Sequence, residues 1–268
     1  MKFTILGSNG FIGSHLVKHL RAEGDEYFLP ERGFAFSREQ NLGHVIYCIG
    51  LTSDFRSRPM DTVHAHVTEL ARVLENTSFE SFLYLSSTRV YAGSDSGDEG
   101  QTLKVNSSNP SDLYNLSKLM GEAICFSLNN ETVRVARLSN VIGNDFSSSN
   151  FIFSLIREAV NSGQIHLRTP LSGAKDYVAI DDVVGILPAI ARSGRRQLYN
   201  VAGGVNLTNQ TIVDEIMRLT GCALVVDPSP DCLNFPLISI ERLTGEFDYR
   251  PRNIMSGMGK LIAKCKNK

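Results

Sequence analysis

The feature that most constrains the fold of this chain is a set of three glycines placed directly behind an apolar strand. Lys2 to Leu6 is short and largely apolar, and Gly7-Ser8-Asn9-Gly10-Phe11-Ile12-Gly13 follows at once. Apolar side chains then fall at Phe11, Ile12, Leu16, Val17 and Leu20, the spacing of one helix face, and Gly24 ends the run. Strand, glycine turn and helix form the context that a dinucleotide fingerprint needs. The glycines let the chain turn tightly and approach a pyrophosphate, whose charge then rests on the helix N-terminus. A purely structural loop does not explain three glycines on the phosphate side of a first strand. Gly7, Asn9, Gly10, Phe11, Ile12 and Gly13 are therefore candidate cofactor residues.

Glu26 to Leu29 reads as the second strand. Glu31 stands 18 residues after Gly13, close to where an acid holds the ribose 2′-hydroxyl of NAD. Arg32 is next in the chain and is suited to the 2′-phosphate of NADP instead. Glu31 favours NAD, NADP remains the alternative, and two solvated charges in a turn are the bland reading. The next buried strand is His44 to Ile49, followed by Gly50. Only about 15 residues separate it from the second strand, where a βαβ unit takes some 30.

Tyr114-Asn115-Leu116-Ser117-Lys118 sets a phenol and an ammonium four residues apart, on one face of a helix. An ammonium beside a phenol favours the phenolate, so Lys118 is expected to draw Tyr114 toward neutral pH and make it a general acid/base. Upstream, the strand Phe82 to Ser86 runs into Ser86-Ser87-Thr88-Arg89-Val90-Tyr91. Serines closing a strand mean little alone, but a hydroxyl ahead of the Tyr/Lys pair adds a second polar group for a reacting oxygen.

In this order, the glycine turn, Leu85 to Tyr91 and Tyr114 to Lys118 resemble the extended short-chain dehydrogenase/reductases, in their nucleotide-sugar epimerase/dehydratase branch, over nearly the whole chain. The GxxGxxG spacing is the one that branch shows. The resemblance implies an α/β fold, a Rossmann-like doubly wound parallel sheet with a small C-terminal substrate-binding part. It implies that Ser87 steadies the reacting oxygen, that Tyr114 exchanges its proton, and that Lys118 lowers the Tyr114 pKa and holds the ribose. Cys48, Ile49 and Gly50 match the stretch that passes under the cofactor, with Leu85, Ser86 and Leu138 as further cofactor contacts. His66 stands where family members often carry an Asn that braces the cofactor-side loop; a surface or packing histidine is the alternative. The shortened unit near 32–43 implies an adenosine side that is open or differently built.

For the substrate, the resemblance offers Ser87, Thr88, Arg89, Asn140 and Lys175. Asn140 lies in Arg137 to Gly143, which resembles a strand end whose Asn contacts the nucleotide sugar, although a turn or capping Asn would look the same. Lys175 begins Lys175-Asp176-Tyr177-Val178-Ala179-Ile180-Asp181-Asp182-Val183, where the family's diphosphate-binding Arg stands. A Lys keeps that charge and loses the bidentate fork. After the catalytic Ser or Thr, the sugar 4,6-dehydratases carry an Asp-Glu pair. Here it is Thr88-Arg89, so dehydration lacks its acid and base. The expected activity is NAD(P)-dependent oxidoreduction at C4 of a nucleotide-activated sugar, by a 4-ketoreductase or a 4-epimerase. A non-catalytic dinucleotide sensor on the same fold is the rival; it has no need of the Ser/Tyr/Lys set.

The remaining expectations come from length and composition. The 268 residues divide as 1–145, mainly the cofactor domain, and 146–268, mainly substrate-binding, with segments near 164–201 returning to the sheet. A formal net charge of −1 gives no bulk attraction to nucleic acid or to an anionic membrane. No apolar run approaches the roughly 20 residues of a membrane span. Five scattered cysteines without metal spacing suggest reduced thiols, no metal and a cytoplasmic protein. A homodimer is expected, through the helix of Tyr114 and Lys118 and the one before it, with Val73, Met120 and Phe126 as outward apolar contacts. The polar stretch from Gly93 to Asp112 is expected to be a surface loop able to cover a substrate.

Overall fold

The structure, a computed structural model, describes residues 2–52, 54–143, 150–227 and 234–266. The 145/146 boundary and Cys232 lie outside these residues. In chain order the strands are β1 (Lys2–Leu6), β2 (Glu26–Phe28), β3 (His44–Tyr47), β4 (Ser81–Ser87), β5 (Val133–Leu138), β6 (Asn140–Ile142), β7 (Gln164–Leu167), β8 (Ala174–Ala179), β9 (Leu198–Val201), β10 (Asn206–Thr208) and β11 (Ala223–Val226). The α-helices are α1 (Phe11–Glu23), α2 (Pro59–Val63), α3 (Glu69–Asn76), α4 (Leu113–Ser127), α5 (Phe151–Ser162), α6 (Ile180–Ser193), α7 (Asn209–Thr220), α8 (Glu241–Phe247) and α9 (Met258–Lys266).

Six strands form one parallel sheet in the order β2-β1-β3-β4-β5-β9. Its central strands are largely apolar, as a sheet covered on both faces requires. On one face Leu16 and Leu20 of α1 meet Val183, Leu187 and Ile190 of α6. On the other, Leu70 and Val73 of α3 and Cys125 of α4 pack over Tyr47, Phe82 and Tyr84. The order passes directly from β1 to β3, so the shortened unit is real. Residues 29–43 hold no helix and no strand beyond the isolated bridge Asn41–Ser78. Phe28, Phe34 and Phe36 stack edge to face there, with Arg72 over Phe36, and cover that border of the sheet.

The later chain builds a second, smaller core from α5, α7, α9 and β7, including Ile152, Ile156, Ile165, Ile212, Ile216 and Met258. Two small sheets flank it, β10-β8-β6 and β11-β7. The chain also re-enters the large sheet, where β9 pairs with β5 and α6 covers a face.

The expected dimer contacts are corrected in part. Residues His64–Thr68 form a π-helical turn between α2 and α3. The wider turn shifts the phase of α3 relative to α2. Thr62, His66, Leu70 and Val73 are fully buried, and Val73 faces the core at 0% exposure rather than a partner. Phe126 is likewise packed against that core, which leaves Met120, at 53% exposed, from the proposed dimer face. The Gly93–Asp112 stretch is largely exposed, as expected of a surface loop, but is anchored near its start. Gly97 bridges to Ile238, and Ser94 and Glu99 are buried. Among the described residues no helix is long and apolar enough to cross a membrane, and no group of His, Cys, Asp and Glu is placed to hold a metal. Cys48, Cys125, Cys222 and Cys265 are free thiols.

Candidate active site

The glycine turn takes the shape its residues permit. Gly7 has φ +83°, a conformation costly for residues with a side chain, and a Cβ there would stand 3.0 Å from the Cys48 carbonyl carbon. Gly10 N–H donates to Gly7 O at 3.1 Å. A Cβ on Gly13 would stand 2.3 Å from Gly7 O, so α1 lies against the turn only because position 13 has no side chain. Gly10 is the N-cap and offers no side-chain hydrogen bond, which leaves the first N–H groups of α1 facing outward. Asn9 and Gly10 are exposed; Phe11 and Ile12 are half-buried against the first core. This cradle fits a pyrophosphate. Glu31 and Arg32 are both exposed beyond β2.

The C-terminal ends of β1, β3 and β4 converge beside the cradle, where open α/β sheets bind ligands. Cys48, Ile49 and Gly50 follow β3, and Leu85, Ser86 and Ser87 close β4, with Leu138 paired opposite Ser87. His66 is fully buried under this rim. Its Nε2 accepts from the Leu51 N–H at 3.2 Å, so the proton sits on Nδ1, which donates to Ser117 Oγ at 2.8 Å. Ser117 Oγ in turn donates to the Tyr114 carbonyl at 2.9 Å. Burial, with help from the nearby Lys118 charge, lowers the His66 pKa to about 2. Two buried tyrosines fix the π-helical turn that holds His66: Tyr47 Oη donates to Ala65 O at 2.6 Å and Tyr84 Oη to His66 O at 3.4 Å.

Tyr114, Ser117 and Lys118 share the buried face of α4. The Tyr114 phenol lies beside the Ser87 and Thr52 side chains, both of which act to lower its pKa. Lys118 Nζ donates to Leu85 O at 2.8 Å and lies 5.0 Å from the Tyr84 ring centre. Here the structure departs from expectation. Burial raises the Tyr114 pKa above its usual value; Ser87, the Arg89 guanidinium and Thr52 oppose that without reversing it. Lys118 is not the group acting on the phenol. Its own pKa is lowered to about 7 by burial, against the pull of Glu122, and its ammonium is turned to a carbonyl. A protonated phenol beside a hydroxyl can give a proton to an oxygen that develops negative charge, or take one back.

Thr88 is buried, and Arg89 leans over the rings of Phe55 and Tyr114, 5.5 and 5.9 Å from their centres. Asn140 and Lys175 are not gathered into this cluster. Both lie on the small sheet, where Asn140 Nδ2 donates to Asp176 O at 2.8 Å and so ties β6 to β8. Lys175 Nζ lies over the rings of Phe151 and Phe235.

Sequence reasoning missed the buried polar chain behind the site. Ser86 Oγ donates to Glu122 at 2.5 Å, and Arg137 grips both Glu122 oxygens at 3.0 and 2.7 Å. Arg137 also donates to Tyr91 Oη, which donates to Asn200 Oδ1. Asn200 N–H donates to Glu99, whose carboxylate meets Arg242 at 3.4 Å. One signal was available: Glu122 is four residues beyond Lys118, and so on the same helix face.

Residues 3–202 match the sequence model of the NAD dependent epimerase/dehydratase family. The chain belongs to this family. It is 22% identical over 269 residues to dTDP-D-glucose 4,6-dehydratase of Dictyostelium discoideum, covering 82% of this chain and 62% of that protein. It therefore spans less than two thirds of that relative's length. Among solved structures, RMD from Pseudomonas aeruginosa complexed with NADPH superimposes with a TM-score of 0.82 at 19% identity, over 99% of both chains. UDP-glucose 4-epimerase of Thermus thermophilus, in complex with NAD, gives 0.75 at 18% identity, also over 99% of each. At these identities the structures share a fold with this family member, and both 4-epimerases and 4,6-dehydratases share it.

Proposed function

We propose that this protein is an NAD(P)-dependent enzyme that oxidises or reduces C4 of a nucleotide-activated sugar, as a 4-ketoreductase or 4-epimerase, and does not carry out 4,6-dehydration. The observation that carries the proposal is the Tyr114 phenol buried beside the Ser87 side chain on the rim next to the glycine cradle, with Lys118 on the same buried helix face. Gly7, Gly10, Gly13 and the start of α1 would hold the cofactor's pyrophosphate, Lys118 its ribose, and Glu31 or Arg32 its adenosine end. A nicotinamide held there would take or supply the hydride. Ser87 Oγ orients the sugar oxygen. Tyr114 returns a proton to that oxygen on reduction and removes it on oxidation. His66, through Leu51 N–H and Ser117, keeps the rim and the Tyr114 turn in register.

Loss of water from a 4-keto sugar needs an acid and a base beside the same carbons. Thr88 and Arg89 supply neither near neutral pH. The nearby carboxylates are engaged elsewhere: Glu122 with Arg137 and Ser86, Glu99 with Asn200 and Arg242, Asp112 with the Asn106 N–H, and Asp95 with Lys104 at the surface. A sensor that binds the dinucleotide alone would need no phenol held against a serine. The test is Tyr114→Phe. Turnover of a nucleotide sugar should fall by about two orders of magnitude or more, as for a lost general acid/base, while cofactor binding by calorimetry stays within about threefold. Turnover within about tenfold of the parent removes Tyr114 from the mechanism.

A further inference from the structure

Arg89 and Arg56 form a pair of cations that the chemistry described so far does not use. Both guanidiniums rest on one aromatic ring, Arg56 4.5 Å and Arg89 5.5 Å from the centre of Phe55, which is itself buried and packed against Tyr114 at 5.2 Å. Both also reach one residue: Arg89 Nη2 donates to Ser111 O at 3.2 Å and Arg56 Nε to Ser111 Oγ at 3.4 Å. Neither forms an ion pair with a carboxylate among the described residues. Asp112 is near enough to attract Arg89 but makes no ion pair with it. Arg89 Nε is buried without any hydrogen-bond partner. Burial, and then the like charge of Arg56, holds the Arg89 pKa below its usual value. A half-buried guanidinium that uses one of five donors, beside a second cation, is costly unless an anion completes it.

We propose that Arg89 and Arg56 receive a carboxylate on the sugar, so that the nucleotide sugar taken by this site is a hexuronate rather than a neutral hexose. This rests on the reading of Ser87, Tyr114 and Lys118 as the reacting cluster. The position of Arg89 favours a sugar carboxylate over the nucleotide's diphosphate. Its backbone N–H donates to Ser87 Oγ at 3.2 Å, and its guanidinium lies 5.9 Å from the Tyr114 ring centre, so it stands at the reacting end. In a pyranose whose C4 oxygen meets Tyr114, the carboxylate of a hexuronate is on C5, the neighbouring carbon. The diphosphate is on C1, across the ring. A guanidinium also matches a carboxylate with two parallel hydrogen bonds, geometry a lone ammonium does not supply.

The test uses free sugars, which makes it independent of the unknown base and of turnover. Saturation-transfer NMR on the full chain with NAD compares D-glucuronate and D-galacturonate with D-glucose and D-galactose. The proposal expects transfer to the hexuronates, at least tenfold weaker or absent with the hexoses, and lost in Arg89→Gln. Arg89→Lys should restore it only in part, and circular dichroism checks that each variant is folded. Equal signals from acid and neutral sugars, no hexuronate signal, or a signal unchanged in folded Arg89→Gln each overturns it. Displacement of the hexuronate by inorganic pyrophosphate at equal concentration, itself abolished in Arg89→Gln, would assign the pair to the diphosphate and also overturn it. Turnover of neutral nucleotide hexoses without hexuronate selectivity sinks this inference and leaves the proposed function standing. Selective hexuronate binding with no turnover of any nucleotide sugar does the reverse.

Discussion

At the scale of single residues, His66 shows how a buried side chain is tied to both the site and acid stability. It is neutral in the folded state because its Nε2 serves as an acceptor in a dry place. Its folded pKa of about 2 lies below the ordinary 6.5, so the unfolded chain binds the extra proton first as pH falls. The stability it contributes is complete above about pH 6.5 and is lost progressively toward pH 2. Between pH 7 and 5 that loss is about 2 kcal/mol. His66→Asn keeps an acceptor for Leu51 N–H and cannot titrate. The variant should therefore lose less stability than the parent over the same interval, by about 2 kcal/mol in denaturant titrations. Identical pH dependence in the two proteins would place the titration elsewhere. The position of His66 was readable from the sequence, whereas its burial was not. A histidine on an amphipathic stretch reads as surface until the π-helical turn is known, and no residue pattern announces that turn.

At the scale of elements, the strand, glycine turn and helix were legible because local chemistry alone dictates them. Gly13 is the sharpest instance, since only a missing side chain lets α1 meet Gly7 O. Gly13→Ala should push α1 off the turn. It should weaken dinucleotide binding by at least about tenfold, or 1.4 kcal/mol, in calorimetry, while the far-UV spectrum stays that of a folded α/β protein. Unchanged affinity would mean that the cradle tolerates a methyl and that the phosphate is held elsewhere. The shortened unit before β3 was legible too, because a βαβ unit cannot fit in so few residues. The anchoring of the loop near Glu99 was not legible, for the opposite reason. Its Gly, Ser and Asp residues announce turns and solvent, and nothing local reveals that Gly97 and Glu99 are stitched to Ile238, Asn200 and Arg242. The phenol–ammonium pair was legible only in part: four-residue spacing places Tyr114 and Lys118 on one face but does not set which carbonyl the ammonium meets.

At the scale of the whole molecule, the chain Ser86–Glu122–Arg137–Tyr91–Asn200 joins the site helix α4 to β4, β5 and β9, and through Glu99 to Arg242 in α8. Glu122 and Arg137 are 3% and 5% exposed, so removing one strands the other without water. Arg137→Met should cost about 3–5 kcal/mol in denaturant unfolding, and Glu122→Leu with Arg137→Met together should cost less than the single change. A single-variant loss under about 1 kcal/mol would mean that water reaches Glu122. Such long-range pairs are the part of the design that sequence spacing cannot reveal, since they are set by which strands become neighbours. The family assignment rests on the sequence match over residues 3–202, but the proposed reaction rests on the few residues at the rim. Its most direct test is to incubate the protein with NAD(H) or NADP(H) and nucleotide hexoses, 4-keto sugars and hexuronates, and to separate the products by chromatography with alkaline absorbance. C4 epimers or C4 alcohols should form, and no 4-keto-6-deoxy sugar. A 4-keto-6-deoxy product formed at enzymatic rates would contradict the proposed reaction and would require a carboxylate to replace Thr88 and Arg89 as the acid and base.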